Sequence, residues 1–194
     1  MEGAMDRAIA QPLIGGIGVP ELALDDIALR AQLEAHHAES FGWALFCCRH
    51  CLDDAENVLQ IVYLKVLGRR AVFDGRSSFK TWLFSVIRHT AAGERRTELF
   101  HRLLLREFFL GQSTPHSGPS GEDLASSNQV QQNLRRALLK LPLRQREVLH
   151  LVFYQDLSIQ DAANVMRIGI GSARRHYERA KKQMRRYLEA GARS

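Results

Sequence analysis

The residues with the clearest chemistry lie near the C-terminus, where cationic side chains are concentrated. Seven of the thirteen residues from Arg174 to Arg186 are Lys or Arg, and Glu178 is the single acid among them. Guanidinium and ammonium groups bind phosphates, and Arg also pairs with guanine edges through two hydrogen bonds. This composition indicates contact with a polyanion such as DNA, although charge alone leaves a solvated basic helix face as an open alternative.

A short helix and a tight corner precede the basic run and would position it. The pattern predicts a helix over Leu157–Met166, with Ser158 and Asp161 as its N-cap and N3 residues. The corner that follows leads into a helix beginning near Gly171 or Ser172. A basic helix after such a corner is typical of a helix-turn-helix that enters the DNA major groove. Its predicted inner face consists of Ala173, Tyr177, Ala180 and Met184.

Charge is divided unevenly along the 194 residues. Residues 1–128 hold 13 basic and 16 acidic side chains, whereas residues 129–194 hold 14 basic and 5 acidic ones, so the formal net charges are −3 and +9. A basic C-terminal half suggests a polyanion at that end and a different partner at the other.

Membrane and secretory classes have little support in the sequence. No apolar run approaches the roughly 20 residues that span a bilayer, and the first residues lack the pattern of a signal peptide. All three cysteines lie within Cys47–Cys51, so they cannot form a disulfide framework. We therefore expect a protein of the reducing cytoplasm, without membrane insertion.

Three helices are predicted in the N-terminal half, and no strand pattern competes with them. The first spans His36–Leu52. The second is predicted to open with a capping box formed by Asp53 and Glu56. A turn follows, and either Ser77 or Ser78 can cap the third helix.

The middle of the chain divides it into two parts. Between Gly111 and Asn128 the composition shifts to Gly, Ser and Pro, which marks a flexible linker. Helical patterning resumes at Gln129 and stops at Pro142, and a further helix is predicted over about Arg144–Tyr154. The predicted fold class is all-α, with two small helical domains joined by a flexible linker and a helix-turn-helix in the second. The predicted boundaries are a lead-in over 1–29, a first domain over 30–100, a linker over 101–128 and a second domain over 129–190.

These segments resemble a known family. The C-terminal half resembles region 4 of a bacterial sigma factor over Leu141–Leu149, Leu157–Ser158 and Ile168–Arg174. In the N-terminal half, Asp54–Gln60 resembles the region 2 helix that grips core RNA polymerase, and Phe73–Leu83 resembles the turn and helix that open and read the −10 element. Two such blocks in this order, joined by a linker, resemble an extracytoplasmic-function (ECF, group 4) sigma factor of the sigma-70 family.

The resemblance implies an alternative sigma factor that binds the β and β′ subunits of core RNA polymerase and directs it to promoters. The implied core-polymerase contacts are Asp54, Glu56, Asn57, Gln60 and Leu64. The implied contacts with the −10 element are Arg76, Ser77, Ser78, Phe79, Lys80, Trp82, Arg88 and His89. The implied contacts with the −35 element are Ser172, Arg174, Arg175, His176, Glu178, Arg179 and Lys182.

The family also implies what the chain does not supply. Catalysis belongs to the polymerase, so no catalytic residue, metal ligand or cofactor is expected here. An anti-sigma factor is the usual regulator in the family, although nothing in this sequence identifies one.

Several positions depart from the family pattern. Asn57 stands where the family usually has Asp, and Ile61 where it usually has an acid, so the polymerase-gripping helix carries less negative charge. His89 replaces a common Asn and Gly93 a common Asp on the −10 helix. Arg167 takes the corner position at which glycine often supplies a positive φ.

Three other classes remain at this stage. The weakened acidic helix keeps open a stand-alone helix-turn-helix regulator that does not engage polymerase. Cys47, Cys48 and Cys51, with His50, suggest a metal or thiol sensor, in which Cys47 and Cys51 share a helix face at i, i+4; small thiols filling a helix interface are the simpler interpretation. An enzyme is least supported, because no nucleophile–base pair or phosphate-binding glycine loop is present.

Overall fold

The computed structural model describes residues 25–108 and 129–191. These residues form eight α-helices and contain no strand, which confirms the all-helical fold class. The first four helices make up an N-terminal unit and the last four a C-terminal unit. Among the described residues, no helix has both the length and the apolar character needed to cross a bilayer. The helices are α1 Asp26–Ala35, α2 His37–Cys47, α3 Leu52–Leu67, α4 Phe79–Phe108, α5 Gln129–Leu139, α6 Leu143–Phe153, α7 Ile159–Met166 and α8 Ile170–Gly191.

Serine side chains cap α4 and α7, as the sequence predicts. The Ser78 Oγ accepts a hydrogen bond of 3.1 Å from the main-chain N–H of Thr81 at the start of α4. The Ser158 Oγ accepts one of 3.0 Å from the N–H of Asp161 at the start of α7. Each cap satisfies an amide that has no partner inside its helix, and thereby defines where the helix begins.

The capping box predicted at Asp53 and Glu56 is wrong. Helix α3 begins at Leu52, and its N-cap is Cys51, which is extended and makes no side-chain cap hydrogen bond. Asp53 therefore lies inside the first turn, where the positive end of the helix dipole favours a carboxylate without a specific cap bond.

The predicted helix over His36–Leu52 is interrupted. Helix α2 ends at Cys47, and the turn after it holds Arg49 and His50 at positive φ values of 57° and 66°. Cys51 leaves this turn to begin α3. Of the predicted i, i+4 pair, Cys47 therefore ends α2 and Cys51 is the N-cap of α3, so the two share no helix face.

Helix α4 is longer than the sequence pattern indicates. It continues to Phe108, past position 100, where the linker is predicted to begin. The rest of the predicted linker, 109–128, and most of the predicted lead-in, 1–24, lie outside the described residues.

Trp43 lies at the centre of the N-terminal unit. Its side chain has no solvent exposure, and its Nε1–H donates to the main-chain oxygen of Phe84 at 3.0 Å. Each aliphatic side chain buried around it stabilises the unit by about 1.5–3 kcal/mol. The apolar residues that α2, α3 and α4 bury there include Ala44, Val58, Val62, Val66, Leu83 and Ile87.

The two units share one apolar core. Val148 and Leu151 of α6 and Val165 and Met166 of α7 are at most 1% exposed. They belong to the same buried cluster as the apolar residues of the N-terminal unit, and α7 packs directly against α4. The sequence predicts two domains, and the structure adds that they are packed together.

The corner between α7 and α8 is tight. Arg167, the C-cap of α7, has φ 52° and ψ 50°, in the left-handed region that glycine adopts most readily. Helix α8 begins shortly afterwards, at Ile170. Its inner face is buried or half-buried as predicted, through Ala173, Tyr177, Ala180 and Met184.

Candidate nucleic-acid interface

The outer face of α3 carries all five residues predicted to contact polymerase. Leu64 is 71% exposed, and the acids and amides beside it are also solvent-exposed. A surface that mixes acidic, amide and apolar groups fits a protein partner. We call this surface the α3 strip, which consists of Asp54, Glu56, Asn57, Gln60 and Leu64.

An open cavity of about 430 Å³ lies beside the α3 strip, between α2 and α3. His37 Nδ1 and the Tyr63 hydroxyl oxygen, on its two sides, are 2.9 Å apart. Phe41 and Leu59 add apolar surface to the walls. The cavity therefore extends the polar α3 strip with an apolar recess.

The two positions that lack the family's acids differ in exposure. Asn57 is exposed and lines a cleft with Glu94 and Arg95 of α4, whereas Ile61 is half-buried. An acid at position 57 would stay solvated, while one at position 61 would be partly desolvated. An acid at position 57 would therefore interact more directly with a charged partner than an acid at position 61.

The turn before α4 is held by its own side chains. Asp74 accepts a hydrogen bond of 3.2 Å from the main-chain N–H of Arg76, and the Arg76 Nε lies 3.3 Å from the second carboxylate oxygen. Gly75 between them has a φ of 71°, a conformation that residues with a Cβ atom rarely adopt. The turn presents the exposed Arg76 side chain to solvent.

Aromatic rings close the space behind this turn. Phe79 is 8% exposed, and its ring centroid lies 5.5 Å from that of Phe73 and 5.3 Å from that of Trp82. The structure therefore places Phe79 in the core rather than on a surface that a base could stack on, while Phe73 and Trp82 are half-buried at the edge. Of the other predicted −10 residues, Ser78 and His89 are exposed and Ser77 is half-buried.

Two cations predicted to contact the −10 element are bound by the C-terminal unit. The Lys80 Nζ donates to the main-chain oxygen of Gln155 and to Glu39, both at 2.8 Å. The hydrogen bond to Lys80 is the main reason that the pKa of Glu39 is lowered. Arg88 donates through Nε and Nη2 to the two carboxylate oxygens of Glu147 at 3.1 and 3.4 Å.

Aromatic rings of the N-terminal unit also enclose His150 of α6. Its ring centroid lies 4.4 Å from that of Phe46 and 5.4 Å from that of Trp43. Burial, and then the charge of His50, lower the pKa of His150 from 6.5 to about 4. The imidazole is therefore neutral at neutral pH.

The predicted −35 residues lie together on the first four turns of α8. The Arg175 Nη2 donates to the Ser172 Oγ at 3.1 Å, and the Lys181 Nζ lies 2.9 Å from Glu178. Six adjacent side chains of this surface are open to solvent, and Ser172 and His176 are half-exposed at its edge. The exposed ones are Arg174, Arg175, Glu178, Arg179, Lys181 and Lys182.

Two of the three clustered cysteines, Cys47 and Cys48, are buried. Burial, and next the charge of Glu147, raise the pKa of the Cys47 thiol. Burial also raises the pKa of Cys48 to about 11. Protonated thiols are poor nucleophiles and ligands, and within 25–108 and 129–191 no group of three or more His, Cys, Asp or Glu side chains could hold a metal ion.

Sequence analysis missed the residues of the C-terminal unit that bind α4. Glu147 lies within the block that resembles region 4 but has no predicted role, and the same is true of Gln155 just after α6. Periodicity turns Val148 inward, but it does not show that Glu147, one residue earlier on the helix, is also buried. The sequence alone does not say that Arg88 is the partner of Glu147.

Comparison with known proteins gives the class. The family model of Sigma-70 region 2 matches residues 33–98, and that of Sigma-70, region 4 matches residues 131–184. The chain is 31% identical over 158 residues to the ECF RNA polymerase sigma factor SigX of Bacillus subtilis (strain 168), covering 80% of this chain and 81% of the relative. It is 26% identical over 164 residues to the ECF RNA polymerase sigma factor RpoE of Cereibacter sphaeroides, covering 84% and 88%.

A solved structure has the same fold. It is the co-crystal structure of the sigma factor RpoE in complex with the anti-sigma factor NepR from Bartonella quintana. The similarity has a TM-score of 0.60 at 22% identity and covers 86% of this chain and 98% of that one.

A match to region 2 on the N-terminal unit, followed by a match to region 4 on the C-terminal unit, defines the class of sigma factors. The chain belongs to the sigma-70 family and, within it, to the ECF sigma factors. It is an alternative RNA polymerase sigma factor, as the sequence resemblance predicts, and a stand-alone regulator is not favoured because both regions are matched. Sigma factors regulate transcription rather than catalyse a reaction, which agrees with the expectation that the chain is not an enzyme.

Proposed function

We propose that the chain binds core RNA polymerase and directs it to promoters by contacting the −10 element with its N-terminal unit and the −35 element with its C-terminal unit. One observation carries the proposal: the two family regions are matched in order, one on each helical unit. The polymerase supplies the catalysis, and the chain acts in the cytoplasm, where the polymerase and the promoter are.

The α3 strip is the proposed polymerase contact. Its acids and amides are complementary to a basic surface on the partner. The apolar Leu64 at its end is exposed and would be buried by such a partner. The N-terminal half carries a net charge of −3, which favours association with a basic surface.

The turn before α4 and the exposed side of that helix form the proposed −10 contact. Arg76, Ser78 and His89 are exposed there, and Trp82 lies at the edge of the aromatic cluster. An extruded base needs polar groups for its edge and a ring for its face. Trp82 supplies the ring in this proposal, since Phe79 is buried behind it.

The exposed basic face of α8 is the proposed −35 contact. Ser172 lies at the helix N-terminus, where amides and the hydroxyl favour a phosphate. Arg174, Arg175 and Arg179 point away from the packed inner face and can reach base edges in the major groove. An anti-sigma factor that covers either surface is the proposed regulator, by analogy with the family.

Run-off transcription tests the proposal. The full chain and core polymerase are incubated with a DNA fragment from upstream of the gene for this protein, and a defined transcript is expected only when both are present. A polymerase pull-down accompanies it. Failure to bind polymerase, together with sequence-specific duplex binding, would reassign the chain as a stand-alone regulator.

A matched pair of variants locates the polymerase contact. Gln60→Lys puts a cation on the α3 strip and is expected to weaken polymerase binding about tenfold, because like charges then meet at the interface. Gln32→Lys makes the same change on the exposed side of α1 and is expected to leave binding unchanged. Equal effects of the two would argue against the α3 strip.

A further inference from the structure

We propose that Cys48 and Cys51 form a redox-active pair, a modification site at which a low-molecular-weight disulfide oxidises the two thiols to an intramolecular disulfide. Cys51 is the thiol that meets the oxidant, and Cys48 completes the bond. The inference goes beyond the proposed function and does not rest on it, because it concerns the turn between α2 and α3 rather than a contact with DNA or polymerase.

The turn between α2 and α3 brings these two residues together. Cys48 is the C-cap of α2 and Cys51 is the N-cap of α3. The Cys51 N–H donates to the main-chain oxygen of Cys48 at 3.2 Å, and both residues between them have positive φ. These are features of a β-turn, whose first and fourth Cα atoms lie less than about 7 Å apart. Disulfides join Cα atoms roughly 4.4–6.8 Å apart, so the backbone already suits the bond.

Hydrogen bonds on both sides hold this turn in place. The His50 N–H donates to the main-chain oxygen of Leu45 at 2.8 Å. The Arg95 Nη1 of α4 donates to the main-chain oxygen of Cys47 at 2.9 Å. Residues other than glycine keep a positive φ, as Arg49 and His50 do, only where the surrounding structure enforces it. The fold therefore holds the two cysteines near each other.

The surroundings of the three thiols identify Cys48, and not Cys47, as the partner of Cys51. Burial is the main cause that raises the pKa of Cys48 to about 11, and the charges of Asp54 and then Cys51 also raise it. The pKa of Cys47 is raised by burial and next by the charge of Glu147, in the C-terminal unit. Cys47 thus matches a small thiol that fills a helix interface, whereas Cys48 lies beside Cys51.

Exposure to solvent assigns the two roles. Cys51 is half-exposed, whereas Cys48 is only 6% exposed, so an oxidant reaches Cys51 first. Attack from within the chain does not require Cys48 to be exposed. Cys48 also lines an open cleft of about 170 Å³, through which its proton can pass to water. Because its raised pKa makes the thiolate scarce, closure by Cys48 is the slower step.

The reaction is a two-electron thiol–disulfide exchange. The Cys51 thiolate attacks one sulfur of the oxidant, such as glutathione disulfide, so that a mixed disulfide forms and one glutathione thiolate leaves. Cys48 then gives its proton to water and attacks the Cys51 sulfur. The Cys48–Cys51 bond forms as the mixed disulfide breaks and releases the second glutathione thiolate. The protein dithiol is oxidised, and glutathione disulfide is reduced to two thiols.

The position of the pair connects it with the α3 strip. The bond would form directly before the helix that carries this strip, and Asp54 and Asn57 of the strip line the same cleft as Cys48. Disulfides in a reducing compartment are usually transient and serve redox sensing or catalysis. A reversible bond at this turn would therefore report the thiol state of the surroundings to the start of α3.

Cysteine variants test the assignment of roles. The full chain is incubated with glutathione disulfide, quenched with acid and weighed by intact-mass spectrometry. The wild type and the matched control Cys47→Ala should each lose two hydrogen atoms, as one disulfide requires. Cys48→Ala should stop at the mixed disulfide and gain one glutathione. Cys51→Ser should react at least about tenfold more slowly, because the exposed thiol is gone. Position 51 is half-exposed, so this variant tests the pair even if Cys48→Ala folds poorly.

A redox equilibrium measures what the fold contributes to the bond. The wild type is equilibrated in buffers of reduced and oxidised glutathione, once native and once unfolded in concentrated urea. If the turn holds the thiols together, the disulfide should be favoured about tenfold more in the native chain. This ratio corresponds to a reduction potential lower by about 30 mV.

Each contrary outcome would overturn the inference. Equal equilibrium constants in the native and unfolded chains would show that the turn does not bring the thiols together. A disulfide that disappears in Cys47→Ala, or persists in Cys51→Ser, would belong to another pair. Run-off transcription under reducing conditions is independent of all these results, so the proposed function stands or fails separately.

Discussion

The two surfaces proposed to contact DNA use their cations differently. On α8, Arg174, Arg179 and Lys182 are exposed along one face. On α4, Lys80 and Arg88 are largely covered and hydrogen-bonded to the C-terminal unit. Similar residue types therefore differ in how readily they can bind DNA. The α8 cations are already exposed to solvent, whereas the α4 cations must first break their hydrogen bonds within the protein. A promoter contact on α4 has to compete with a contact inside the protein.

The largest effect is expected from Arg88→Ala. It leaves the mostly buried Glu147 with Arg144 alone, and removal of one partner of a buried ion pair is strongly destabilising. The free energy of unfolding, measured by urea titration, should fall by about 3 kcal/mol. Arg96→Ala, at an exposed position on the same helix, should change it by less than about 0.5 kcal/mol. If both variants lost the same free energy of unfolding, covered and exposed cations of α4 would not differ in their contribution to stability.

A pH dependence is expected from the same interface. His150 is enclosed by Trp43 and Phe46 of α2 and by Tyr154 at the end of α6, and His50 is the titratable neighbour whose charge acts on it. Its pKa is lowered in the folded protein, so the unfolded chain binds the proton more readily. The stabilisation is complete above about pH 6.5 and is lost as the pH falls from 6.5 towards 4.

Unfolding titrations across this pH range test the dependence. The wild type should lose at most about 3 kcal/mol of stability from this group between neutral pH and pH 4. His150→Phe keeps a ring of similar size without a titrating nitrogen, and its stability should fall less over the same range. Parallel curves for the two proteins would show that the imidazole is not the responsive group.

A smaller effect, on DNA affinity, is expected from a substitution on the exposed basic face of α8. Arg174→Ala should weaken duplex binding by about 1–3 kcal/mol in a sequence-dependent way if the side chain contacts a base edge. Anisotropy with a promoter duplex and with a random duplex measures the difference. Arg186→Ala, near the end of the same helix, should weaken binding to both duplexes alike. A uniform loss for Arg174→Ala would reduce it to a phosphate contact.

The smallest effect is expected on the α3 strip. Asn57→Asp restores an acid at an exposed position and should strengthen polymerase binding by about 0.5–1 kcal/mol, measured by competition for core polymerase. Ile61→Glu restores the other acid at a half-buried position, where partial desolvation should reduce the gain. If neither variant binds more tightly, the charge pattern of the family does not govern this interface.

Features set by neighbouring residues were predictable from the sequence. The Ser78 and Ser158 caps and the inner face of α8 follow from local hydrogen bonding and a period of 3.6 residues. The corner itself was expected from the motif, and Arg167, a departure from the usual glycine, adopts the positive φ there. The capping box predicted at Asp53 was wrong. Several successive residues could have served as the N-cap of this helix, and in the structure Cys51 does so.

The partner of each buried face was not predictable. Periodicity showed that Val148 and Leu151 turn inward, but a pattern in one segment does not say which segment covers it. Composition also does not distinguish an arginine that is available to bind DNA from one that forms an ion pair within the protein, as Arg88 does with Glu147. The Arg88–Glu147 pair joins positions 59 residues apart and depends on how the two units dock.

The corner at Arg167 has a mechanical consequence for promoter binding. Helix α8 has 22 residues and is about 33 Å long. Each 10° tilt of α8 therefore moves its far end by about 6 Å relative to its start, nearly two base-pair steps. Only three residues join α7 to α8, so a tilt where α7 leaves α4 is passed on to α8 and shifts its far end relative to the DNA backbone.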